Sequence, residues 1–155
     1  RMTSMTSWSD VEQAEPEFAT TARRILTAYK HLTLATLRAD GAPRISGIEI
    51  TFADGELTFG SMPHARKGAD LLRDPRFALH SATVDPQEGA PAQWPGEVKV
   101  AGTARYTGDL GGPVEGLSFT ADLHEVVHTH LNEAGDRLVI EFWHPGKGLR
   151  RVERE

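Results

Sequence analysis

Apolar residues return at helical spacing between Pro16 and Tyr29, where Phe18, Ala22, Ile25, Leu26 and Tyr29 share one face, so the first periodic stretch reads as an amphipathic helix. The period then changes to two. Residues His31 to Arg38, Pro43 to Phe52 and Glu56 to Ser61 alternate or run apolar, and Asp-Gly pairs separate them in "ADGA" and "ADGE". Asp-Gly between alternating runs is a strong hairpin signal, and the three strands are expected to form an antiparallel meander. "RKGADLLR" from Arg66 to Arg73 is again helical in period, and "DPRFALHSAT" leads through Pro75 into a fourth strand. After the loop "VDPQEGAPAQWPG", three more strands follow in "EVKVAGTARYTG", "LSFTADLHEVVHTHL" and "DRLVIEFW", with "LGGPVEG" as a further loop.

The expected fold is therefore mainly β. Six to seven antiparallel strands, with an N-terminal helix and a short helix after the third strand, hide their edges most economically as a small closed or split β-barrel with flanking helices. At 155 residues the chain is read as one domain spanning 1–155. Residues 1–8 are expected to be disordered or extraneous to the natural chain.

Composition narrows the function. A net charge of -5 argues against a nucleic-acid protein, because neutralising phosphates takes a broad basic surface. With no cysteine, disulfides, thiolate metal sites and cysteine nucleophiles are excluded. No run of 18 apolar residues and no signal-peptide centre appears, so a cytoplasmic protein without membrane contact is expected. No nucleophile triad, carboxylate pair or phosphate-binding P-loop stands out, and an enzyme built this way would rely on a bound cofactor.

Three groups of residues carry chemistry. "FGSMPHARKGADLL" leaves a strand at Phe59, passes Gly60 and Ser61, and delivers Arg66 and Lys67 at a helix start. Cations there oppose the macrodipole unless an anion sits among them, so the stretch reads as a phosphate pocket. On the second strand Arg44 and Ser46 share a face, and Gly47 marks either a ligand's close approach or a bulge. The ending "IEFWHPGKGLRRVERE" crowds Arg150, Arg151 and Arg154 behind Trp143, which a planar and anionic partner would explain. His124, His128 and His130 share strand parity and could face one side; no cysteine or fixed carboxylate spacing accompanies them, and no metal site is expected.

Taken in order, "TLATLRADGAPRISGIEI", "LTFGSMPHARKGADLLRDPRFAL" and "EFWHPGKGLRRVER" resemble the opening hairpin, phosphate loop and C-terminal cofactor-contacting segment of the pyridoxamine 5'-phosphate oxidase-like flavin-binding split barrels. The resemblance implies FMN at a homodimer interface. By position it implies that Ser61, Arg66 and Lys67 grip phosphate, that Arg44, Ser46, Gly47 and Ile48 line the ring edge, and that Trp143 and Arg154 close the site. Arg150 and Glu97 fall at substrate-side positions. The family's second substrate residue, a histidine, is replaced by Val152, its strand lysine by Thr51 and its glutamine by Glu97, and its substrate-phosphate segment is not visible in "LGGPVEGLSF". The expected activity is thus flavin-dependent redox chemistry on a small molecule other than pyridoxamine phosphate. Two alternatives stand beside it. One is a deazaflavin (F420) reductase, whose polyanionic cofactor would draw on Arg73 and Arg76 as well; the other is a non-catalytic flavin or haem store.

Overall fold

The computed structural model describes residues 4–110 and 115–155, so part of the "LGGPVEG" loop lies outside the described residues. The chain opens with α1 (Trp8–Ala14), where Ser7 and Asp10 form a reciprocal capping box. It continues with α2 (Pro16–Leu26), which starts on a proline. The expectation that residues 1–8 stand apart from the fold does not hold over its described part. Trp8 is 1% exposed and its ring meets Phe52 edge-on at 5.0 Å. The amide of Thr6 donates to the Asp122 carboxylate. The capping signature Ser7-x-x-Asp10 ahead of Val11 was the signal for this extra helix.

Nine strands follow among the described residues: β1 (Leu32–Leu37), β2 (Pro43–Ile48), β3 (Ile50–Ala53), β4 (Glu56–Ser61), β5 (Arg76–His80), β6 (Glu97–Asp109), β7 (Leu117–Leu131), β8 (Leu138–His144) and β9 (Gly148–Arg154), with α3 (Arg66–Arg73) between β4 and β5. All pair antiparallel: seven follow the order β2-β1-β5-β6-β7-β4-β3, while β8 pairs with β7 off this path and β9 with β8. The two ends of that path are halves of one bent segment, since only Glu49 separates β2 from β3. The sheet thereby closes on itself as a barrel. The expected meander forms, with its middle strand broken at Glu49. The 43–52 stretch pairs with β1 over its first half and with β4 over its second, so the two hairpins share no stretch of strand and diverge at the bend. Both Asp-Gly hairpins do form, the second through positive φ at Asp54 and Gly55, the signature of a type I′ turn.

β7 runs the length of the molecule. β6 follows one of its edges from Leu117 to Thr129, while the other edge is divided between β4, over Leu117–Thr120, and β8, over Val126–Leu131. A bulge breaks the β6–β7 register between Ala101 and Gly102, and leaves His124 without an opposite residue. Gly102 is required there because a Cβ would overlap the Asp122 carbonyl oxygen. Before the bulge the odd positions Ala121 and Leu123 are buried; after it the even positions Val126 and His128 are. The inward faces of the strands and the buried sides of α1 and α2 form one apolar core, from Trp8 through Leu34, Leu57 and Phe119 to Trp143.

Candidate functional site

The corner where β2 becomes β3 opens onto a cavity of about 450 Å³. Gly47, Ile48 and Glu49 form one wall, Phe59 and Gly60 of β4 another, and Lys67 closes it from the first turn of α3. Lys67 Nζ donates to the Gly47 carbonyl at 3.3 Å, which ties the helix start to the strand edge. α3 begins after Ala65 with no side-chain cap and no acidic residue in its first turn. Its leading N–H groups therefore lack a side-chain partner, Lys67 turns to the cavity and Arg66 stands exposed.

Gly47 is informative because nothing in the chain demands it. Its φ is not in the left-handed region, and a Cβ added there would meet no atom within 4 Å. Neither backbone conformation nor internal packing calls for glycine. A glycine within a strand is a common place for a ligand or another backbone to approach closely.

α3 is held in place from beneath. Asp70, 2% exposed, accepts from Thr36 Oγ1 at 2.8 Å, from Arg44 Nε at 2.6 Å and from Arg73 at 2.9 Å. Burial raises its pKa, but the hydrogen bonds from Arg44, Thr36 and Arg73 outweigh that and hold it at about 2. This cluster pins the cation-bearing helix to β1 and β2.

The remaining sequence-predicted residues are dispersed. Gly47, Ile48 and Lys67 line the cavity, and Arg66 lies exposed at the start of α3 beside it. Arg44 and Ser46 occupy the other face of β2, where Arg44 braces Asp70 and does not reach the cavity. Ser61 is buried beneath Gly68, its hydroxyl directed to the Met62 carbonyl. Trp143 is 4% exposed and belongs to the core, so its own chain covers the ring that was expected to face a cofactor. Arg150 and Arg154 are exposed on β9, and Glu97 pairs with His80 at 3.4 Å. Trp143 lies opposite Val126, six residues beyond the last β4 partner Thr120, roughly 20 Å along β7 at about 3.3 Å per residue. Within one chain the tail is remote from the α3 start. Sequence reasoning missed Glu49, Phe59 and Met62 as cavity residues; the corner that joins them arises only on barrel closure.

The histidines part company as well. His124 is exposed in the bulge near Asp122, so the shared parity fails at that point. His128 and His130 stack with ring centroids 4.4 Å apart, and Glu141 of β8, directly opposite His128, stands 3.4 Å from His128 Nδ1 and 3.1 Å from His130 Nε2. Burial, then His130, push His128 below its ordinary pKa, against the opposing pull of Glu141. A carboxylate absent from the local sequence is supplied across the strand pair.

The family described as pyridoxamine 5'-phosphate oxidase matches residues 18–137, and the chain belongs to it. No functionally curated protein matches the chain. Among solved structures the fold is similar to PhzG from Burkholderia lata in complex with tetrahydrophenazine-1-carboxylic acid, at a TM-score of 0.63 and 12% identity over 94% of this chain and 91% of that one. A pyridoxamine 5'-phosphate oxidase-related FMN-binding protein from Nostoc punctiforme gives a TM-score of 0.62 and 12% identity over 91% and 96%. A heme binding protein from Mycobacterium smegmatis gives 0.51 and 12% over 97% and 89%. At such identities these likenesses concern the fold, a split barrel that other chains use for flavin and for haem.

Proposed function

We propose that this protein binds FMN at the β2–β3 corner, as part of a homodimeric site, and uses it for redox chemistry on a small molecule other than pyridoxamine 5'-phosphate. The observation that carries the reading is Gly47, a strand glycine with open space before it, in a cavity whose far wall is Lys67 and the uncapped start of α3. Arg66, Lys67 and the first N–H groups of α3 hold the phosphate, and the edge at Gly47 and Ile48 receives the ring. Bound FMN supplies the two-electron chemistry; the chain fixes its position and keeps water from it. Arg150 and Arg154, exposed and remote within their own chain, serve a site on a second copy. FMN is favoured over F420 because Arg73 and Arg76 are already committed to Asp70 and Asp74, which leaves no longer basic groove. Val152 in place of a substrate-side histidine, and Glu97 drawn to His80, support a substrate other than pyridoxamine phosphate.

An absorption spectrum of the purified protein, followed by fluorescence titration with FMN, tests the proposal. A flavin spectrum and saturable quenching are expected. A deazaflavin or haem spectrum, or no saturable FMN binding, would refute it.

A further inference from the structure

The geometry points to a second site, apart from the flavin reading: His128, His130 and Glu141 form a three-ligand site for a divalent first-row transition ion, with zinc as the defining probe. One ligand atom from each lies within 4.8 Å of the others. The separations about Glu141 Oε2, 3.1 and 3.4 Å, match the edge of about 3.3 Å that a tetrahedron with zinc–ligand bonds of about 2.0–2.1 Å requires.

The protonation pattern makes the same case. His130 Nδ1 is 3.0 Å from the Leu131 carbonyl, an acceptor, so Nδ1 carries that ring's proton. Its Nε2 then presents a lone pair to a carboxylate oxygen 3.1 Å away, two acceptors face to face. Only a further proton or a cation between them makes that contact attractive. A backbone carbonyl fixing the outer nitrogen of an imidazole is also the usual support of a metal-bound histidine. His128 contributes a ring whose Nε2 is buried without a hydrogen-bond partner among the described residues. Coordination through Nδ1 assigns the proton to Nε2.

Near-parallel rings cannot both aim an in-plane lone pair at one point, so binding turns one imidazole about its Cβ–Cγ bond, a torsion with a broad minimum. The cluster opens to a cavity of about 290 Å³ bordered by Glu15 and Glu17, at the junction of α1 and α2. That opening gives the ion an entry path and a fourth ligand, water or carboxylate. Three imidazole and carboxylate donors without sulfur suit zinc and its neighbours better than calcium or magnesium.

The experiment uses the full chain, freed of metal with a chelator and titrated with zinc chloride by calorimetry. One zinc per chain and a rise in melting temperature are expected. His130→Gln and Glu141→Gln should each weaken binding by at least about tenfold, while His124→Gln, on the same strand outside the cluster, should not. Ring-proton resonances of wild-type protein give a readout that needs no variant: zinc should move His128 and His130 and leave His124 in place. No stoichiometric binding, binding indifferent to both substitutions, or shifts confined to other histidines would each overturn the site.

Discussion

At the scale of single residues, the cavity separates side chains that serve the fold from those free to serve a ligand. Gly47 is the sharpest case. Gly47→Ala should leave the ligand-free protein as stable as before or raise its stability by about 0.4–1 kcal/mol, because no atom stands where the methyl would go and the unfolded chain loses freedom. The same methyl should weaken FMN binding. Thermal melts and flavin titrations of one sample check both. Lys67→Ala should cost about 1.5–3 kcal/mol of FMN affinity, roughly ten- to a hundred-fold, while the lost exposed bond to the Gly47 carbonyl costs the apo protein no more than about 1 kcal/mol. Trp143 behaves oppositely. Because its ring is buried in the core of its own chain, Trp143→Ala should cost about 3–5 kcal/mol of stability whether or not cofactor is present. Chemical denaturation with and without FMN measures that cost.

At the scale of elements, α3 is the part on which the site depends, and Asp70 is what holds it. Its folded pKa of about 2 lies below the ordinary 3.8, so the stabilisation from this carboxylate is complete above about pH 4 and is lost as pH falls toward 2. Asp70→Asn should flatten the acid limb of the stability curve in that window. It should also cost about 2–3 kcal/mol at neutral pH, since Arg44 and Arg73 lose a buried charged partner. Denaturation midpoints from pH 2 to 7 for both proteins test this. The helix was legible from "RKGADLL", and so were its cations. That Arg44 would brace the helix was not, because residues 44 and 70 meet only after β2 and α3 pack.

At the scale of the molecule, two exposed apolar residues stand at or near the cavity. Ile45, 75% exposed, lies on the outward face of β2 beside Gly47, and among the described residues β2 pairs only with β1. Met62, 59% exposed, borders the same cavity. A homodimer that covers this edge would complete the flavin site, and an interface of that kind buries on the order of 2,000 Å² or more. Sedimentation should give a dimer at micromolar concentration, and Ile45→Asp should shift it toward monomer and weaken FMN binding together. A stable wild-type monomer would remove the basis for a shared site.

The sequence by itself determined the elements whose physics is local. Alternation over 31–38 and 56–61, two Asp-Gly turns, the helical period read over 16–29, of which the helix takes 16–26 and leaves Tyr29 exposed, and the cations at 66 and 67 depend on neighbours a few residues away, and their order suffices to recognise the family. What needed the tertiary structure is what depends on distant partners. A period of two reports a strand but not where it bends, so the break at Glu49 that splits the meander's middle strand and closes the barrel left no local trace. Nor does it report a bulge, and one unpaired residue at His124 reversed the facing of the strand beyond it, separating three histidines that parity had joined. Trp143 reads alike as a wall for a ligand or a plug for a core. Burial decided between them, because the apolar surface on both sides of β8 became known only once the barrel was closed. Glu141 shows the reverse: no local spacing ties it to His128, yet antiparallel pairing sets the two side by side.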